Sequence, residues 1–102
     1  VNRALVEIMN KEAIFKKITE MLKRHGARKI AVFGSYIRGG EKPESDIDII
    51  VEFSERKSLL ELVRIERELS KDLGINVDLL TEKFISPYMI GSIRKEMEVI
   101  YR

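Results

Sequence analysis

The stretch KIAVFGSYIRGGEKPESDIDIIVEF, residues 29–53, decides how this chain folds. Residues 29–33 form a short apolar run, read as a buried strand. Gly34-Ser35 follows at once, and a short helical turn through Arg38 fits there. Gly39-Gly40 and Pro43 mark residues 39–45 as a loop. Residues 46–53 alternate as a strand does. Ile47, Ile49 and Val51 share one face, and Asp46, Asp48 and Ile50 share the other.

Outward from this pair of strands the pattern turns helical. Upstream, Asn10 caps a helix whose stripe is Ile14, Phe15, Ile18, Met21 and Leu22. Lys23, Arg24 and His25 suit its C-terminal turn, and Gly26 suits the left-handed position after it. Residues 1–9 are expected to be dispensable for the fold, with either an alternative start codon in use or Met9 as the native start, although Ala4, Leu5 and Ile8 could extend the helix. Downstream, Ser58 and Glu61 spell a capping box. Leu59, Leu62, Val63, Leu69 and Leu73 give that second helix an apolar side, and Gly74 ends it. Residues 75–80 predict a third strand, with Ile75, Val77 and Leu79 on one face and Asp78 on the other. Ser86-Pro87 opens a last helix, with the cap before the proline. Its stripe is Ile90, Ile93 and Met97, carried on toward Ile100 and Tyr101. The expected fold is α/β (α+β): a small mixed sheet of three to four strands flanked by helices.

Composition narrows the class. With 102 residues this is one domain, 1–102, with its core over about 10–102. A hydrophobic fraction of 44% argues for a packed core and against disorder. There is no cysteine, so disulfides and thiolate metal sites are excluded. No apolar run approaches the ~20 residues of a membrane span, and the N-terminus lacks a signal-peptide core. A cytoplasmic protein is expected. The net charge is only +2, but residues 1–40 carry nine basic and three acidic side chains, and residues 41–102 ten and fourteen. A basic first part suits phosphate, an acidic partner, or simply a solvated lysine-rich helix face. His25 is the one histidine, which leaves little room for histidine-based catalysis.

Three features carry chemistry. Glycine after a buried strand lets a ligand approach the backbone, and free N–H groups at a following helix start favour phosphate. Gly34-Ser35 fits that description; it also fits an ordinary capped turn. Asp46 and Asp48 sit two apart in a strand, so both carboxylates face one side and can converge on a hard cation such as Mg²⁺. A charged edge strand would be the plain alternative, but the isoleucines around them speak for a central strand. Asp78 can join them if its strand neighbours theirs.

Gly34-Ser35, the ten residues Tyr36 to Ser45, and Asp46-Ile47-Asp48 together resemble the signature of polymerase-beta-type nucleotidyltransferases. Within that superfamily the chain is similar to the minimal nucleotidyltransferases, the MNT-domain antitoxins of HEPN/MNT toxin–antitoxin pairs. The resemblance implies a Mg²⁺-dependent enzyme that transfers AMP from ATP to a hydroxyl. It implies triphosphate binding by Gly34, Ser35 and Arg38, and two Mg²⁺ ions held by Asp46, Asp48 and Asp78. It implies that the acceptor is a tyrosine of a cognate HEPN ribonuclease toxin. Larger relatives grip their acceptor with an extra domain, so here the acceptor is expected to dock from outside. No direct nucleic-acid or membrane partner is expected, and a homo-oligomer stays open. Two other readings stand beside this one: an antitoxin that neutralises its toxin by binding alone, and nucleotidyl transfer to a small molecule.

Overall fold

The computed structural model describes residues 11–34 and 46–102. In chain order the elements are α1 (Lys11–Arg24), β1 (Ala27–Phe33), β2 (Ile47–Phe53), α2 (Leu59–Leu73), β3 (Val77–Leu80), a 3₁₀ turn (Glu82–Phe84), α3 (Pro87–Glu96) and β4 (Glu98–Tyr101). The strands form one mixed sheet in the order β3-β2-β1-β4. β1 runs antiparallel to both β2 and β4, whereas β2 and β3 are parallel. Parallel neighbours need a crossover, and α2 supplies it.

Alternation along the strands builds the core on one face. Ile30 and Val32 of β1, Ile47, Ile49 and Val51 of β2, and Val77 and Leu79 of β3 form one cluster with Ile18 and Leu22 of α1 and Leu62, Ile65 and Leu69 of α2. Ile18, Leu22, Ile47, Ile49 and Leu69 are fully buried. The opposite face carries Asp48, Ile50 and Glu52 along β2.

Local signals set the ends of the helices. Gly26 and Gly74 take positive φ of 88° and 68°, so each turns the chain where a side chain would strain it. At the start of α2 the Ser58 hydroxyl accepts from the Glu61 N–H, and the Glu61 carboxylate accepts from the Ser58 N–H, both at 3.2 Å. β3 lies at an edge of the sheet, and two side chains of α2 cover that edge. Ser70 Oγ accepts from the Val77 N–H at 3.0 Å, and Glu66 Oε2 accepts from the Leu79 N–H at 2.9 Å.

Two expectations are corrected. On α2, Ile65 is buried, whereas Leu59 is 61% exposed and Val63 37%. Val63 is two residues from Ile65 and therefore on nearly the opposite side of a 3.6-residue turn. The last helix does not carry on to Tyr101: it stops at Glu96, and 98–101 is a fourth strand. Val99, Ile100 and Tyr101 are β-formers. The free side of β1 offers them partners, in the pairs Ile30 with Tyr101, Ala31 with Val99 and Val32 with Glu98. Residues 1–9, the Asn10 cap, the turn through Arg38 and the Gly39–Ser45 loop lie outside the described residues. Among those described, no helix is long and apolar enough to cross a membrane.

The capping box makes a measurable prediction. The Ser58 backbone and side-chain hydrogen bonds hold the Glu61 carboxyl below its usual value of 4.5. A carboxyl depressed by folding contributes stability above that usual value and loses it as pH falls through the lower, folded one. Ser58→Ala is expected to cost about 1 kcal/mol, read as a fall of about 4–8 °C in melting temperature. Glu61→Gln is expected to melt below wild type at neutral pH and to converge with it under acid conditions.

Candidate active site

β1 ends where β2 begins. Phe33 pairs with Asp48, so Gly34 leaves the sheet directly beside that carboxylate. Gly34 has φ +84°, and a Cβ built on it would fall 2.5 Å from Asp48 Oδ2. Glycine is required here twice over, for its left-handed backbone and for the space that the Asp48 side chain fills. The sequence reading expected a ligand to approach the backbone at Gly34; the neighbour that the structure places there is the Asp48 carboxylate of the same chain.

The third aspartate also falls beside the second. β2 and β3 pair in register, with Asp48 opposite Asp78 and Ile47 opposite Val77. Val77 is buried on the core face, so Asp78 points to the other face with Asp48. Asp48 is half-buried, and Asp46, just ahead of β2, and Asp78 are exposed. Among the described residues, no three His, Cys, Asp or Glu side chains are grouped closely enough to hold a cation by themselves. Ser35 and Arg38, expected to bind triphosphate, lie outside the described residues. His25 stands apart in role: at the end of α1 it meets Glu68 of α2 at 3.2 Å.

The same face of the sheet holds a feature that the sequence reading missed. An open cavity of about 520 Å³ extends over Lys29, Ala31, Ile50 and Glu52, bounded by Phe53, by residues 55–59, by 81–84 and by Met97. Only the positions of Arg56 and Lys57, just past the end of β2, could have hinted at it.

A helix-backed mixed sheet with Gly34, Asp48 and Asp78 at one end can be compared with known proteins. Residues 14–100 match the family described as Nucleotidyltransferase domain. The chain belongs to that family. The chain is 48% identical over 88 residues to a chain of Methanocaldococcus jannaschii named as a putative protein adenylyltransferase, spanning 86% of this chain and 95% of the other. It is 40% identical over 78 residues to the protein adenylyltransferase MntA of Thermococcus cleftensis, spanning 76% and 79%. Its fold matches a toxin–antitoxin structure with AMP-PNP at TM-score 0.78 and 24% identity, covering 85% of this chain and 72% of that one. It also matches a complex of tri-AMPylated Shewanella oneidensis HEPN toxin with MNT antitoxin at TM-score 0.73 and 21% identity, covering 88% and 71%. Family and relatives make this nucleotidyltransferase an enzyme.

Gly34→Ala is expected to destabilise the nucleotidyltransferase by about 1–2 kcal/mol from backbone strain, with a further loss from crowding Asp48. Thermal melts in wild-type and Asp48→Ala backgrounds separate the two. The penalty should be smaller when the Asp48 carboxylate is gone; an equal penalty in both would leave only the backbone contribution.

Proposed function

We propose that this nucleotidyltransferase is a Mg²⁺-dependent protein adenylyltransferase, moving AMP from ATP to a tyrosine hydroxyl of a cognate HEPN ribonuclease toxin and so acting as its antitoxin. The observation that carries the chemistry is the adjacency of Gly34, Asp48 and Asp78 on one sheet face. The relatives named as protein adenylyltransferases support protein as the acceptor. The likeness to complexes with AMP-PNP and with a HEPN toxin supports ATP and the partner class. ATP as substrate goes with a cytoplasmic reaction.

The donor set fits the cation. Asp46, Asp48 and Asp78 offer only carboxylate oxygens, and Mg²⁺ commonly takes one or two carboxylates and completes its shell with water and substrate phosphates. Asp46 and Asp48 would hold both ions, and Asp78 would share the one nearer the acceptor. When bound, such cations offset the charge of the triphosphate and of the departing pyrophosphate.

The chain's own residues have distinct tasks in this reading. The Gly34 turn and Ser35 would receive the triphosphate, with Arg38 contacting a phosphate. The acceptor oxygen attacks the α-phosphorus, the bond to the β-phosphate breaks, and pyrophosphate leaves. Asp78 would take the hydroxyl proton. The product is an AMP phosphodiester on the acceptor, with no covalent enzyme intermediate.

Two measurements test the reading. Calorimetry should show that ATP binding needs Mg²⁺, since a triphosphate beside ionised carboxylates requires cations between them. Equal affinity without the metal, or in Asp48→Ala, would sink the site assignment. In the second, Asp46→Asn with Asp48→Asn keeps side-chain size while removing charge. The double variant is expected to co-purify with the HEPN partner yet transfer AMP at least about 10²-fold more slowly. Mass spectrometry of the partner reads each AMP as a discrete increment. A wild-type protein that neutralises its partner without adding mass would leave binding alone as the antitoxin mechanism.

A further inference from the structure

The cavity on the open face lies where an acceptor would have to stand. Phe33 pairs with Asp48, Ala31 with Ile50 and Lys29 with Glu52. The cavity floor at Ile50 and Glu52 therefore begins about 7 Å beyond Asp48 and reaches about 13 Å along β2, on the same face. Gly34 is at the opposite end of this line. In-line displacement at phosphorus puts the entering oxygen opposite the leaving group. If pyrophosphate departs toward Gly34, the acceptor enters from the cavity side. Asp78 flanks that path, because β3 leads through Thr81 into the 3₁₀ turn that walls the cavity.

The lining shows what would fit. Phe53, Leu59 and Phe84 contribute apolar walls, and Leu59 and Phe84 are 61% and 52% exposed. Glu52 is ion-paired with Arg28, and Glu82 with Arg94 at 2.9 Å; neither arginine lines the cavity. Lys57 is shared between Glu61, at 3.9 Å, and the face of Phe53. Among the described residues Lys29, Arg56 and Lys83 form no ion pair, and of the three acids in the lining Glu55 alone forms none, so the lining keeps more unpaired cations than anions. Apolar walls under a cationic rim select an anionic partner with an aromatic or aliphatic anchor.

We propose that this cavity is the acceptor-docking subsite and that its occupant is an acidic, aromatic-bearing peptide segment of the acceptor protein. The proposal rests on the protein-adenylylation reading for its context, but its test reads binding alone. The probe is a fluorescent synthetic peptide of one tyrosine flanked by glutamates, titrated with the full chain without nucleotide. Arg56→Glu with Lys83→Glu is expected to weaken it about tenfold, and Phe84→Ala to weaken it as well. Arg67→Glu with Lys71→Glu, which makes the same charge change on α2 outside the cavity, is expected to leave it unchanged. Mg²⁺-ATP affinity, measured by calorimetry, is expected to stay at the wild-type value in the cavity variants. Equal peptide binding in the cavity double variant, an equal loss in the α2 control, or equal binding of a lysine-flanked peptide would overturn the proposal. A parallel loss of Mg²⁺-ATP affinity would also overturn it, assigning the cavity to the nucleotide instead. If cavity variants lose the peptide while wild type transfers no AMP to its partner, docking stands and the adenylylation reading falls.

Discussion

Everything at the candidate site depends on the register between β2 and β3. A one-residue slip would turn every side chain of β3 to the other face. Asp78 would then enter the apolar layer now filled by Val77 and Leu79, where an unpaired carboxylate is costly. Val77 and Leu79, both nearly fully buried, hold the strand in phase from below. Ser70 and Glu66 hold it from the side, by accepting the Val77 and Leu79 N–H groups. The helix that makes the crossover thus also fixes where the third carboxylate stands. Packing, edge hydrogen bonds and chemistry share four residues of strand.

Gly34 ties the other half of the site to the same frame. Its position next to Asp48 follows from the antiparallel pairing of Phe33 with Asp48. The space left by its missing side chain is where the Asp48 carboxylate lies. The sheet therefore has two characters. One face is closed by α1 and α2 over a continuous apolar layer. The other carries carboxylates at one end and a half-apolar, basic-rimmed hollow at the other.

Much of this arrangement is legible in residues 29–53. The alternation of Ile47, Ile49 and Val51 against Asp48 identifies the faces, and Ser58 with Glu61, Gly26, Gly74 and Ser86-Pro87 mark helix ends that the structure keeps. Where the reading failed, the deciding contact was distant. Residues 98–101 look helical by spacing from Ile93 and Met97, but an unfilled edge of β1 some seventy residues earlier recruits them as β4. Ile65 rather than Val63 faces inward because the sheet, not the helix sequence, sets which part of a broad apolar surface is covered. The cavity has no local motif at all. Lys29 of β1, Arg56 of the β2–α2 connection and Lys83 of the 3₁₀ turn lie far apart in sequence, and only the folded sheet brings them together.

The two margins of the sheet are unlike in what they offer a visiting chain. At β3 the outward Val77 and Leu79 amides are already spoken for by Ser70 and Glu66, so an extended strand laid there would have to displace α2 side chains. That margin resists edge-to-edge aggregation of the kind exposed strands invite. β4 closes the sheet on the far side with four residues, Glu98–Tyr101, and among the described residues no strand lies beyond it. Any growth of this sheet by strand addition is thereby directed to one flank, remote from the Asp48–Asp78 ladder. Assembly through that flank would leave the carboxylate face open to solvent.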